Sequence, residues 1–184
     1  MTTIKPEMFT TRDIALIIIL SAAGGAVSVP LGYLTNALKV IPILPVGFGQ
    51  ILSGIHIIWF VLIRLLTGKK GSATFAGALK GLVELSLFSF HGIQVLPIDL
   101  AEGIFVDIIM NIPGKASRIK TAIAGSLSAS SNVLVLWLLL LQGMPIYIIG
   151  LMLVFALISG ALFGVFGWDA SKRVEHILGI RNST

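Results

Sequence analysis

Between Thr121 and Trp168 the chain runs for 48 residues without a single Asp, Glu, Lys, Arg or His. A fold surrounded by water has no place to put so much uncharged, largely apolar chain. A bilayer does, because a membrane helix needs about 20 apolar residues to cross the hydrocarbon layer. The run is broken once, by QGMP at 142–145, and so divides into two helices, at about 121–141 and about 145–167. Inside lipid the backbone polar groups must be satisfied within the segment, which makes helix the natural reading of each half.

The rest of the chain follows the same rule. Of its 184 residues 56% are hydrophobic and 11% charged, and the mean hydropathy is +1.01. Four further helices are expected at about 13–34, 50–66, 72–90 and 98–112, with a polar tail at 169–184. Six spans consume roughly 120 residues. The expected architecture is therefore all-α: one integral-membrane domain over 1–184, a bundle of six transmembrane helices. An N-terminal signal peptide is an alternative for the first run, with SAA at 21–23 imitating a cleavage site. The uncharged run from Ile14 to Leu38 is of membrane-helix length, so a retained span is expected instead.

Charge placement orients the bundle. If both termini, the 67–71 loop and the 113–120 loop face the cytoplasm, 11 of the 13 Lys and Arg lie inside or at inner helix ends. That is the asymmetry the positive-inside rule demands, and it predicts a plasma-membrane protein with cytoplasmic N- and C-termini. The net charge of +5 is accounted for in this way and calls for no nucleic acid. There is no cysteine, hence no disulfide. The 35–49 connection, with Pro42, Pro45, Gly47 and Gly49, falls on the outer side and is long enough to be a lid or an ordinary interfacial loop.

Against this apolar background the ionisable residues at 80–107 stand out: Lys80, Glu84, His91, Glu102 and Asp107. A charge at mid-membrane costs on the order of 2.5–3.5 kcal/mol, and such residues tend to pair or to line a polar site. Lys80 and Glu84 are four apart, one turn on one helix face, and either lock the bundle or share in a ligand site. Asp99 lies at the mouth of the fourth helix. Glu102 and Asp107 differ by about 140° around that helix, so they cannot head one narrow pocket. Glu102 is expected at the site, and Asp107 is expected to pair with a neighbouring helix or with Lys115 and Arg118. Helix 2 adds Ser53, His56 and Trp59 on one broad face, and helix 5 adds Asn132 and Trp137. Each of these also has a plain packing reading. As a set, Glu84, Glu102, His56, His91, Asn132 and Lys80, with Trp59 and Trp137 as aromatic walls, suit a small solute.

Catalytic signatures are missing. The sequence has no GxxxxGK[ST] phosphate loop, no HExxH helix and no GxSxG elbow. No cofactor is expected, and no metal site, since His56 and His91 sit on different elements without a cysteine to support them. A membrane enzyme acting on lipid or isoprenoid substrates would have to use Glu102 and Asp107, which their angular separation disfavours. A purely structural membrane protein is the other alternative. Small residues recur at four-residue spacing in three helices: Ala22 and Ala26, then Ala73, Gly77 and Gly81, then Ala156, Gly160 and Gly164. Such stripes allow close helix approach, within the bundle or against a partner.

Six spans in this length, with AAGGA at 22–26, resemble the substrate-binding S components of energy-coupling factor (ECF) transporters. The segments GALKGLVEL at 77–85, DLAEGIFVDI at 99–108 and LISGALFG at 157–164 look most like the YkoE type, which is associated with thiamine or its hydroxymethylpyrimidine precursor. The resemblance covers roughly residues 13–170. It implies that Ala22 and Ala26 match the Ala-x-x-x-Ala motif that docks on the transmembrane T subunit. It also implies uptake of a vitamin-like solute from outside, driven by ATP hydrolysis on two separate ATPase subunits. A different vitamin or small organic solute is the alternative, and Lys80 leaves an anionic one open.

Overall fold

The computed structural model describes residues 8–38 and 48–178. Six α-helices follow in order: α1 (Thr11–Leu38), α2 (Gly54–Thr67), α3 (Ser72–Ser86), α4 (Val95–Asn111), α5 (Arg118–Leu139) and α6 (Ile146–Leu178). Short 3-10 turns, Phe48–Ile51 and Gly92–Gln94, precede α2 and α4, and the described residues contain no strand. Successive helices alternate in direction, so α1 begins and α6 ends at the same end of the bundle. The Pro42–Gly47 part of the expected outer loop lies outside the described residues.

Helix α2 is the axis. It packs on α1, α3, α4, α5 and α6, and these five follow one another around it in that order. From Phe60 to Thr67 every residue of α2 is buried. A helix apolar all round belongs in the middle of a bundle, and Phe60, Val61 and Ile63 have no exposed surface. The outer helices show the opposite pattern. The most apolar windows of α1 and α6 are only 28% and 33% buried, and their exposed side chains include Ile18, Ile19, Val154, Ile158 and Leu162. Such a surface is suited to acyl chains.

Among the described residues four helical segments are long and apolar enough to cross a membrane: Thr11–Ala37, Gly49–Thr67, Arg118–Leu139 and Ile146–Ile177. The expected six full spans reduce to four on this criterion. Helices α3 and α4 have only 15 and 17 residues and carry the buried Lys80, Glu84, Asp99, Glu102 and Asp107.

The helix limits differ from expectation where local chemistry overrides hydropathy. Helix α1 continues to Leu38 through Pro30. Helix α3 stops at Ser86 rather than 90, because Phe88 takes a left-handed backbone (φ 58°). Helix α6 continues to Leu178, so most of the expected polar tail is helix, tied down by the Lys172–Glu175 pair at 2.9 Å and by Lys172 over Trp168. The α2–α3 turn needs two left-handed residues, Gly68 (φ 65°) and Gly71 (φ 82°), which glycine alone supplies without strain. Ser117 caps α5 by accepting from the Lys120 amide at 3.2 Å.

The small-residue stripes set the helix spacing. A β-carbon placed on Gly77 would lie 2.3 Å from the Asp99 carbonyl oxygen, and one on Gly103 would lie 2.2 Å from that of Ala73. Helices α3 and α4 therefore meet backbone to backbone, antiparallel. The Ala156–Gly160–Gly164 stripe does the same against α5: β-carbons at Gly160 and Gly164 would fall 2.2 Å from the carbonyl oxygens of Gly125 and Thr121. Gly103→Val should thus lower thermal stability in detergent by about 1–3 kcal/mol, the usual cost of overpacking. Gly150→Ala, with nothing within 4 Å of the added methyl, should leave the melting temperature within a degree or two of wild type.

Candidate functional site

The site grows from one side chain. Lys80 sits on α3 at the seam with α4 and is fully buried. A buried ammonium demands partners on every donor. Its Nζ contacts Glu84 Oε1, one turn along α3, and Asp99 Oδ1 on α4 at 2.7 Å. The Phe60 ring of α2 lies beneath it, 5.3 Å from Nζ to centroid, within cation–π range. His56, one turn before Phe60, brings its Nδ1 to 3.5 Å from Nζ and 4.0 Å from Glu84 Oε1. Ser28 of α1 holds the same nitrogen at 2.8 Å. An imidazole protonated on Nε2 would offer Nδ1 as the acceptor for the Ser28 hydroxyl or the Lys80 ammonium, since Lys80 has only donors.

Glu102 extends the cluster toward α5. It follows Asp99 by three residues on the same buried face of α4, which runs Val95, Ile98, Asp99, Glu102, Gly103, Val106, Asp107, Met110. Asn132 Nδ2 donates to Glu102 Oε1 at 2.8 Å, and Ser128 Oγ donates to the Glu102 backbone carbonyl at 2.9 Å. Three carboxyl groups, Glu84, Asp99 and Glu102, thus gather around one ammonium and one imidazole. Two of their oxygens, Asp99 Oδ2 and Glu102 Oε2, are buried without a hydrogen-bond partner among the described residues. Unsatisfied buried carboxylate oxygens are rare and costly, and they mark where a donor is due.

The structure brings together Lys80, Glu84, His56, Glu102 and Asn132 from the expected set. Asp99, expected only at the helix mouth, is instead a principal partner of Lys80. Ser28 and Phe60 were not foreseen either. A signal for Asp99 existed: Asp99 and Glu102 at i, i+3 share a face, and Gly77, three residues before Lys80, packs on the Asp99 carbonyl. Trp59 packs its indole on Gly24 of α1, where a β-carbon would lie 2.9 Å from Cγ. Trp137 packs against the apolar core. His91 lies in the α3–α4 turn, edge-on to Phe90 with ring centroids 5.6 Å apart.

Asp107 separates from Glu102 as its angle requires. It faces the opposite end of the bundle, where Oδ2 accepts from the Thr74 amide and hydroxyl, each at 2.7 Å, and Oδ1 lies 3.2 Å from Arg64 Nε. Arg64 also donates to Asn111 Oδ1 at 2.9 Å. The partner of Asp107 is thus Arg64 of α2, not Lys115 or Arg118, and Arg118 pairs with Asp169 at 2.8 Å. Arg64, expected as an anchor at a helix end, is 8% exposed. On α1, Ser21, Gly24, Gly25 and Ser28 are buried, while Ala22 and Ala26 are exposed on the other side.

With this geometry in view, comparison with known proteins places the chain. Residues 12–131 match the family described as "ABC-type cobalt transport system, permease component", and the chain belongs to that family. The fold is similar to that in a structure titled "Crystal structure of an S-component of ECF transporter", with a TM-score of 0.81, 21% sequence identity, and coverage of 92% of this chain and 87% of that one. The fold is therefore that of an ECF-transporter S component. Family and structural neighbour alike are transporter subunits rather than enzymes. No curated protein matches the sequence.

Removing one partner of a buried ion pair costs about 3–5 kcal/mol, because the other charge is left uncompensated. Lys80→Met should accordingly be strongly destabilising in a detergent melt. Lys80→Met combined with Asp99→Asn should recover part of the loss. A double variant no more stable than the single one would show that the Asp99 contact carries no coupling.

Proposed function

We propose that the chain is the substrate-binding subunit of an ECF-type importer and that the Lys80–Glu84–Asp99–Glu102 cluster takes a small cationic or amine-bearing solute, with thiamine or its hydroxymethylpyrimidine precursor favoured. The observation that supports this most is the imbalance of the cluster: three carboxyl groups against one ammonium, with two buried oxygens lacking a donor among the described residues. A donor-bearing cation would supply what is missing through charge-assisted hydrogen bonds. His56, Asn132 and Ser28 would orient it, with His91, Trp59 and Trp137 as flanking residues.

The positive-inside rule supports cytoplasmic termini in the plasma membrane. Arg12, Lys69, Lys70, Lys115, Arg118, Lys120, Lys172 and Arg173 all fall at the end of the bundle that carries the termini. In that orientation the acid cluster lies in the outer half and receives solute from outside. Helices α3 and α4 then complete six crossings as a closely packed pair. Ala22 and Ala26, exposed on α1, would seat a transmembrane T subunit, itself served by two ATPase subunits.

A second reading takes its support from the family's description, which names cobalt. Against it, the described residues contain no group of three or more His, Cys, Asp or Glu side chains arranged to hold a metal ion.

Mass spectrometry of small molecules carried through purification, followed by calorimetric titration with thiamine, hydroxymethylpyrimidine and cobalt(II), separates these readings. The expected result is retention of a cationic organic solute whose affinity falls at least tenfold in Glu102→Gln, the scale of one hydrogen bond to a charged group. Asp107→Asn should lower the melting temperature and leave that affinity unchanged. Tight cobalt binding, or recovery of an anionic vitamin, would overturn the assignment. Ala22→Leu with Ala26→Leu should abolish co-purification with a T subunit while solute binding persists.

A further inference from the structure

At the end of the bundle opposite the acid cluster, α2, α4 and α5 leave a cleft of about 410 Å3, within the size range of small-ligand sites. Its walls carry three cations, Arg64, Lys115 and Lys120, together with the backbone at Gly68 and Gly114 and the Met110 side chain. Arg64 is committed to Asp107 and Asn111. The two lysines have no carboxylate partner among the described residues. Lys120 is held by the carbonyls of Ile112 (2.5 Å) and Gly114 (3.3 Å), which leaves its third donor open, and Lys115 is exposed with all three. The neighbouring acids are already spent: Asp169 on Arg118 and Glu175 on Lys172. The N-terminus of the 22-residue helix α5 begins at the same place and adds its positive dipole end.

Next to the cleft the surface turns apolar. Ile119, Ile123 and Leu127 are exposed at 74%, 48% and 37%. Their four-residue spacing forms a stripe that climbs α5 away from the lysines, and Ile112 stands exposed at the mouth. A basic pocket at a helix junction beside a lipid-facing stripe has the chemistry of an anionic-lipid site.

We infer that this cleft binds the phosphate of an anionic phospholipid, with Lys115 and Lys120 on the headgroup and an acyl chain along Ile119, Ile123 and Leu127. The site is separate from the solute cluster and does not depend on which solute that cluster takes.

Native mass spectrometry of the full-length protein, delipidated and then titrated with phosphatidylglycerol or phosphatidylcholine in mixed micelles, tests the inference. Wild type should retain phosphatidylglycerol in preference to phosphatidylcholine. Lys115→Gln and Lys120→Gln should each weaken that retention about fivefold. Lys70→Gln, which removes an exposed cation at the same end but outside the cleft, should change it less than twofold. Because Lys120 also secures the end of α4, Lys115→Gln carries the test alone if the other variant fails to fold. Equal losses in Lys70→Gln and Lys115→Gln would mean a diffuse surface charge and overturn the site. Displacement of the lipid by low-millimolar inorganic phosphate would overturn the lipid as its occupant.

Discussion

Everything at one end of this bundle is arranged around a single buried ammonium. Lys80 has no exposed surface, and an uncompensated charge at that depth would cost several kcal/mol. Its contacts recruit every element around it: Glu84 from its own helix, Asp99 from α4, and His56 and Phe60 from α2, with Ser28 of α1 reached through His56. No one of these helices reaches its position by apolar packing alone. Helices α3 and α4 are too short and too polar to be specified by hydropathy, and the Lys80–Asp99 link supplies a registration that their small-residue contact leaves open to sliding.

The two requirements, close contact and buried charge, are met by the same residues. Gly77 lets the backbones of α3 and α4 touch at Asp99, and that approach is what brings the Asp99 carboxylate within 2.7 Å of Lys80. On α1, Gly25 packs against Val83 and the Lys80 carbonyl, closing the other side. A second charged cluster, Arg64 with Asp107, Thr74 and Asn111, sits two turns down α2 from His56. Between the two lie Ile57, Phe60, Val61 and Ile63, all without exposed surface. That apolar plug keeps the two clusters apart along α2, and the Arg64–Asp107 pair, with Thr74, ties α2, α3 and α4 together at its own end.

The sequence made the helical class, the close-packing stripes and the divorce of Asp107 from Glu102 legible, because each follows from periodicity: 3.6 residues per turn decides which side chains share a face. It did not show which helix is central. Helix α2 is uniformly apolar near its middle, but so is α6 between Ile146 and Ile158, and nothing local distinguishes a helix apolar because it is enclosed from one apolar because it faces lipid. For the same reason Arg64 reads as a chain-end anchor until α4 is placed beside it. Asp99 was missed because its role depends on the α3–α4 register, a long-range property. The end of α3 was misread because the left-handed residue is Phe88, and a non-glycine residue gives no warning of that conformation.

Helix α1 joins the two sides of the argument. Its inward residues, Ser21, Gly25 and Ser28, touch the helices that build the acid cluster: Ser21 Oγ donates to the Ala76 carbonyl at 3.3 Å and Ser28 holds His56. Its opposite face at Ala22 and Ala26 is exposed and nearly without bulk. A partner helix seated there would lie one helix diameter, about 10 Å, from the backbone that carries Lys80. Any shift of α1 imposed by such a partner reaches the cluster through Gly25 and Ser28, with no flexible loop between. Inward, the small residues let the charged cluster close; outward, under the proposed docking, they would leave room for a second backbone. A bulky residue at either place would hold α1 away from one side or the other, which gives a physical reason for this helix to carry AAGGA at its centre.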